Sequence, residues 1–245
     1  MRPHNSYFIC CNPRTGSWLL TEALQFTGVA GKPREFFAQE REQEWFKRLG
    51  VSTYTDFLEK VIEYGTTPNG VFGAKVHWDE FKYLPARLQQ LPGYREMATH
   101  EMMSRLFPNL HYFWITRRDK VRQAISYHKA NQTGRWFWID GQKYVETKDP
   151  SFDFEAIDFL LKVIVANDAA WQQYFHESGV KPIMVIYEEL EQAYDATIRQ
   201  VLLDLHIPLP ADLVIPEPRL KKQADLLTEE WVQRFHDLKK VQYEK

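Results

Sequence analysis

The stretch Tyr7-Phe8-Ile9-Cys10-Cys11-Asn12-Pro13-Arg14-Thr15-Gly16-Ser17-Trp18-Leu19-Leu20 decides the reading of this chain. Its first part is a short apolar run that reads as a buried strand. After the turn, Leu19, Leu20, Ala23 and Leu24 fall on one helical face, and Gly28 supplies a stop. Strand, tight polar turn and helix form the geometry of a phosphate cradle, because free N–H groups at a helix start face an anion and the helix dipole favours it. Gly16 permits close backbone approach, Thr15 and Ser17 add hydroxyl donors, and Arg14 adds a fork of N–H donors. The turn is not a Walker A loop, since no Gly-Lys-Ser/Thr occurs in the chain. Taken alone, it also suits an ordinary strand–helix connection carrying a surface arginine.

Three more runs repeat the pattern: Val71–Val76, Leu110–Ile115 and Ile183–Tyr187, each followed by a helical segment. Strands alternating with helices predict an α/β three-layer sandwich with a parallel sheet, whose ligands bind at the carboxyl ends of the strands. Helices are also expected from Asp149-Pro150 to about Glu177, over Glu188–Leu205, and from Thr228 to about Gln242. The interval 38–70 is polar and helical and resembles an insertion or lid, and 134–150 reads as a long loop containing Trp136, Phe137 and Trp138. No linker interrupts the 245 residues, so residues 1–245 are expected to form a single domain.

A second basic site follows the third run. In Thr116-Arg117-Arg118-Asp119-Lys120, cations sit where a helix begins, a placement that opposes the macrodipole unless a bound anion reverses the local field. Arg118, Arg122 and Ser126 are spaced to share one helical face. A solvated charge run partly compensated by Asp119 is the plainer alternative. Two anion sites at the ends of two parallel strands describe a ligand with phosphates at both ends, such as a nucleotide with 5′- and 3′-phosphates.

Taken in order, PRTGSWLL, TGVAGKPREFF, PNGVFGAK, RRDKVRQAISYHKANQTGRW and QADLLTEEWVQRF resemble the trehalose 2-sulfotransferase family, P-loop-like sulfotransferases that use 3′-phosphoadenosine 5′-phosphosulfate (PAPS). The resemblance touches residues 7–37, 45–46, 68–78, 112–136 and 216–235. It implies that Arg14, Thr15, Gly16, Ser17 and Trp18 hold the 5′-phosphosulfate, and that Arg117 or Arg118, with Ser126, clamps the 3′-phosphate. The general sulfotransferase spacing selects Arg118 and the trehalose-type pattern Arg117, so both stay open. Glu35 matches the carboxylate that serves as general base, and Arg14 is expected to stabilise the leaving phosphate. The flanking Phe36 and Phe37 are expected to raise the Glu35 pKa by excluding water. On the acceptor side the resemblance points to Lys32, Pro33, Arg34, Glu35, Phe36, Phe37 and Trp45. Pro13 stands where the trehalose enzyme has a sugar-contacting amide, and the stretch from Phe37 to Trp45 is shorter than the family's. Both departures leave the acceptor's identity open. Lys75, at the end of the second run, is a candidate helper or acceptor contact, and Lys222 a candidate that closes over the nucleotide.

The predicted reaction is therefore sulfuryl transfer from PAPS to a hydroxyl of a carbohydrate or glycolipid acceptor, trehalose or a related sugar. A P-loop kinase or another nucleotide phosphotransferase, and a non-catalytic nucleotide-binding module, are the alternatives. With 31 basic and 33 acidic residues the chain is no bulk-charge nucleic-acid binder. No His spacing such as His-Glu-x-x-His calls for a metal. Adjacent Cys10 and Cys11 read as reduced core thiols. No signal-peptide h-region or membrane span is visible, so the expected protein is soluble and cytoplasmic. The family resemblance implies a homodimer.

Overall fold

The computed structural model describes residues 2–137, 149–210, 213–219 and 226–243. Four parallel strands, β1 (Asn5–Cys11), β2 (Val71–His77), β3 (Leu110–Thr116) and β4 (Ile183–Ile186), pair in the order β2-β1-β3-β4. Each expected strand is present, extended or trimmed by a residue or two. The helices are α1 (Ser17–Phe26), α2 (Glu42–Leu49), α3 (Tyr54–Gly65), α4 (Trp78–Phe81), α5 (Leu84–Leu88), α6 (Thr99–Leu106), α7 (Lys120–Thr133), α8 (Phe154–Glu177), α9 (Tyr187–Gln192), α10 (Tyr194–Asp204) and α11 (Leu226–Tyr243).

Every residue of β1 is buried, as expected of a central parallel strand covered on both faces. Its alternate side chains enter opposite cores. Phe8 and Cys10 join Phe72, Ala74, Val76, Tyr112 and Trp114 on one face. Tyr7, Ile9 and Cys11 join Phe113, Ile115 and Val185 on the other, under Leu20, Leu24, Ile198 and Leu202 of α1 and α10. The result is the expected three-layer α/β sandwich. A third cluster, including Ile125, Ile164, Trp231 and Phe235, ties α7, α8 and α11 together. Cys10 and Cys11 are free and buried.

The helices over 39–65 contribute Trp45, Phe57, Leu58 and Val61 to the same core as Phe8 and Phe72. Glu188–Leu205, expected as one helix, breaks at Ala193, which lets Leu190 and Ile198 both reach the core beneath the sheet. The long helix starts at Phe154, past Asp149-Pro150, because the Asp153 carboxylate accepts from the Ala156 N–H and caps it. Arg118 precedes the α7 N-cap, Asp119, so only Arg122 and Ser126 of the expected trio lie on the helix. No helix among the described residues is long and apolar enough to cross a membrane.

Candidate active site

The carboxyl ends of β1, β2, β3 and β4 open onto a cavity of about 690 Å³. The turn after β1 forms one wall. Gly16 is the N-cap of α1 in the left-handed conformation (φ 77°), and no side chain caps this helix. A Cβ there would stand 2.3 Å from the Tyr187 ring, so glycine is required on two counts. Gly16, Ser17 and Trp18 line the cavity with Pro13 and Arg14. Thr15 is fully buried, and its hydroxyl donates to the Asn12 carbonyl at 3.0 Å, which closes the turn. Asn12 in turn donates to Asp168 Oδ1 at 2.7 Å, and Lys120 pairs with Asp168 Oδ2 at 2.5 Å. Helix α8 thereby ties the turn after β1 to the start of α7.

The second basic cluster meets the first. Arg14 donates from Nε to Ser126 Oγ at 2.9 Å and also bonds the Trp136 carbonyl. Burial, followed by the charge of Arg117, pushes the Arg14 guanidinium down to about 10. Arg117 stacks on Tyr187 at 4.7 Å, and its buried Nε has no hydrogen-bond partner among the described residues. Buried polar groups are normally bonded, so crowded guanidiniums with an orphaned donor fit a phosphate. Arg118 is turned away from the cavity. It pairs with Glu189, and its backbone N–H donates to Glu188 at 3.1 Å. Arg122 lines the cavity but is held by Asp119 and Glu229. Lys222 and Trp138 lie outside the described residues.

Glu35 stands on the opposite wall. The Lys75 N–H donates to the Arg34 carbonyl at 3.0 Å, so the chain before Glu35 runs along the edge of β2. Gly31 makes this possible, since a Cβ there would sit 2.6 Å from the Gly73 nitrogen. Trp45 Nε1 donates to the Glu35 carbonyl at 3.1 Å and fixes the backbone. Glu35 Oε1 is 2.6 Å from Lys75 Nζ and 3.2 Å from His77 Nε2, and Oε2 is 3.6 Å from Arg41. Phe36 and Phe37 point into the core, Pro33 is buried, and Lys32 is exposed over Tyr64.

The expected rise in the Glu35 pKa is overturned. Burial does push it up, but Lys75 and then His77 outweigh burial and hold the carboxyl well below the usual carboxylate range. His77 goes the other way: burial lowers it, but Cys11 at 3.6 Å and Glu35 raise it above the ordinary imidazole value. Beneath them Glu80 is pushed up to about 7, mainly by burial. Sequence reasoning missed His77, Arg41, Glu80 and Tyr187. His77 lies two residues beyond Lys75, on the same face of β2, a spacing that pointed to it. Tyr187 carried only the signal of closing the fourth apolar run, at a strand end where ligands are expected.

Residues 6–237 match the family model described as Stf0 sulphotransferase. This chain belongs to the Stf0 sulphotransferases. It is an enzyme of that class, as the ordered motifs implied. The sulfotransferase is 30% identical over 257 residues to trehalose 2-sulfotransferase of Mycolicibacterium smegmatis, covering 94% of both chains. It is 29% identical over 254 residues to trehalose 2-sulfotransferase of Mycobacterium tuberculosis, covering 94% of this chain and 93% of the relative. A crystal structure of a sulfotransferase from Alicyclobacillus acidocaldarius shares the fold, with a TM-score of 0.53 at 16% identity over 97% of this chain and 92% of the other.

Proposed function

We propose that this sulfotransferase transfers a sulfuryl group from PAPS to a hydroxyl of a sugar acceptor, trehalose or a related sugar or glycolipid, with Glu35 as the general base. The observation that carries the reading is the two-walled cavity. Arg14, Arg117 and Ser126 gather at one wall, and an ionised, partly buried carboxylate on Lys75 and His77 stands at the other.

The chain's own residues divide the work. The N–H groups at the start of α1, with Ser17 and Arg14, receive the 5′-phosphate end, where donors fixed toward developing charge are usually the largest contribution to rate. Arg117 and Ser126 receive the 3′-phosphate, and Arg118 takes no part. When bound, PAPS supplies the sulfuryl group and a phosphate leaving group. Glu35 accepts the acceptor's hydroxyl proton on a carboxylate oxygen. Its two cations keep it unprotonated across the physiological range, and negative charge brought into the cavity offsets them and strengthens the base. Lys75 orients Glu35 and faces Trp18 at 5.5 Å. Trp18, Trp136 and Phe137 offer apolar faces to a sugar or to adenine.

The relatives' name, trehalose 2-sulfotransferase, and the place of Glu35 across the cavity from Arg14 support a sugar hydroxyl as nucleophile. The test is transfer of labelled sulfate from PAPS to trehalose, glucose and glycolipid head groups. Turnover of a sugar that Glu35→Gln lowers by about 10²–10⁴-fold supports the reading. Unchanged turnover in Glu35→Gln, or none in the wild type with any acceptor, defeats it.

A further inference from the structure

A second cavity, of about 240 Å³, adjoins the first and shares Trp18, Glu35, Arg41 and Lys75 with it. An acceptor whose reacting hydroxyl lies at Glu35 therefore has a place for its far end. Three guanidiniums line that place, Arg34, Arg41 and Arg48, with Glu44 as the one carboxylate besides Glu35. Glu35 is already engaged by Lys75 and His77, and its other oxygen stands 3.6 Å from Arg41. Neither Arg34 nor Arg48 has a carboxylate partner among the described residues; Arg48 donates to the Tyr64 hydroxyl at 3.0 Å.

Both side chains are held by aromatic faces instead. The Arg48 guanidinium lies over Trp45 at 5.1 Å and Tyr64 at 5.3 Å, and Arg34 stands 6.0 Å from Trp18. Stacking occupies the flat faces of a guanidinium and leaves its in-plane N–H donors for a ligand. Gathering like charges is unfavourable without a counter-charge, and planar forks of N–H donors match the oxygens of a phosphate or carboxylate. A neutral sugar carries no charge to offset theirs.

We propose that this second cavity is an acceptor subsite for an anionic group, a phosphate or a carboxylate, that the sugar carries away from the hydroxyl to be sulfated. The inference rests on the proposed function and narrows its substrate class to acidic saccharides. The experiment compares sulfate transfer to trehalose, to trehalose 6-phosphate and to a disaccharide containing a uronic acid. It uses the wild type, Arg48→Gln and the Arg34→Gln/Arg48→Gln double variant. The readout is the ratio of kcat/KM for an acidic sugar over trehalose, which a general loss of activity in a variant does not move.

Charge-assisted hydrogen bonds of this kind correspond to a preference of about 10–100-fold in the wild type, falling to about 3-fold or less in the double variant and to an intermediate value in Arg48→Gln. High salt should reduce the preference in the wild type. Whether the phosphate or the carboxylate sugar carries the preference identifies the source of the anion. Trehalose used as well as both acidic sugars, or a preference undiminished in the variants, overturns this proposal and leaves the general function standing. Failure to sulfate any sugar defeats both.

Discussion

Replacing Lys75 by Met probes the feature on which the site depends. The Lys75 side chain is 4% exposed and that of Glu35 17%, and their charged atoms are 2.6 Å apart. Methionine keeps the bulk and removes the charge. Breaking a buried pair by deleting one partner costs about 3–5 kcal/mol. His77 remains beside Glu35, so the lower end applies here, about 3 kcal/mol at pH 8. For a chain of this size that is a fall in Tm of roughly 6–12 °C. The pH dependence gives the sharper test. In the wild type the Glu35 pKa is depressed, so its contribution is complete above the unfolded carboxylate pKa and is lost only as the pH falls through the folded value. In Lys75→Met, burial acts with much less opposition and the pKa rises. Glu35 can then escape its penalty by taking up a proton, so the stability gap from wild type narrows as the pH falls from about 8 to about 5. Urea denaturation of wild type, Lys75→Met, Glu35→Gln and the double variant at both pH values completes the cycle. A coupling of about 2 kcal/mol or more is expected at pH 8. A gap that is equal at the two pH values, or additive single effects, would show that Lys75 contributes packing and not charge.

Gly16→Ala forces a Cβ against the Tyr187 ring at 2.3 Å in a left-handed backbone; denaturation should show a loss of about 1–3 kcal/mol, and calorimetry weaker nucleotide binding. Arg117→Gln should weaken 3′-phosphoadenosine 5′-phosphate binding by about 10–100-fold, whereas Arg118→Gln, at an exposed side chain paired with Glu189, should stay within about 2-fold. Calorimetric dissociation constants for the two variants check both, and the reverse ranking refutes the assignment. Glu80 titrates at about 7, above its unfolded value, so its carboxylate penalises the fold above that pH and the penalty disappears as the pH falls. Glu80→Gln should therefore raise stability at pH 8 by about 2–3 kcal/mol and change little at pH 5, as read by chemical denaturation at each pH.

The sheet was legible because β1 and β2 are buried on both faces and all four strands read as apolar runs, at Tyr7, Val71, Leu110 and Ile183, even edge strand β4 with its exposed Met184. The phosphate turn was legible because it lies at a strand end and carries Arg14, Gly16 and Ser17 in one short stretch. Boundaries were less so, because Asp149 and Asp153 are both residues suited to a cap, and it is Asp153 that accepts from the Ala156 N–H. The hidden part of the site is the part made between distant segments. Glu35 acquires its properties from Lys75 and His77, 40 and 42 residues away along the chain, and the expectation drawn from neighbouring Phe36 and Phe37 had the wrong sign because those two cations outweigh burial. Choosing Arg117 over Arg118 as the cavity-lining residue likewise required knowing that Glu188 and Glu189 lie beside Arg118.

The most direct test of the account is a calorimetric titration of the wild-type chain with 3′-phosphoadenosine 5′-phosphate, set against adenosine 5′-phosphate and against ATP with Mg²⁺. A cavity in which Arg117 and Ser126 hold a second phosphate predicts one site that binds the doubly phosphorylated nucleotide at least about 10-fold more tightly than either competitor. Equal affinity for all three, tighter binding of ATP with Mg²⁺, or no heat from the doubly phosphorylated nucleotide would contradict it.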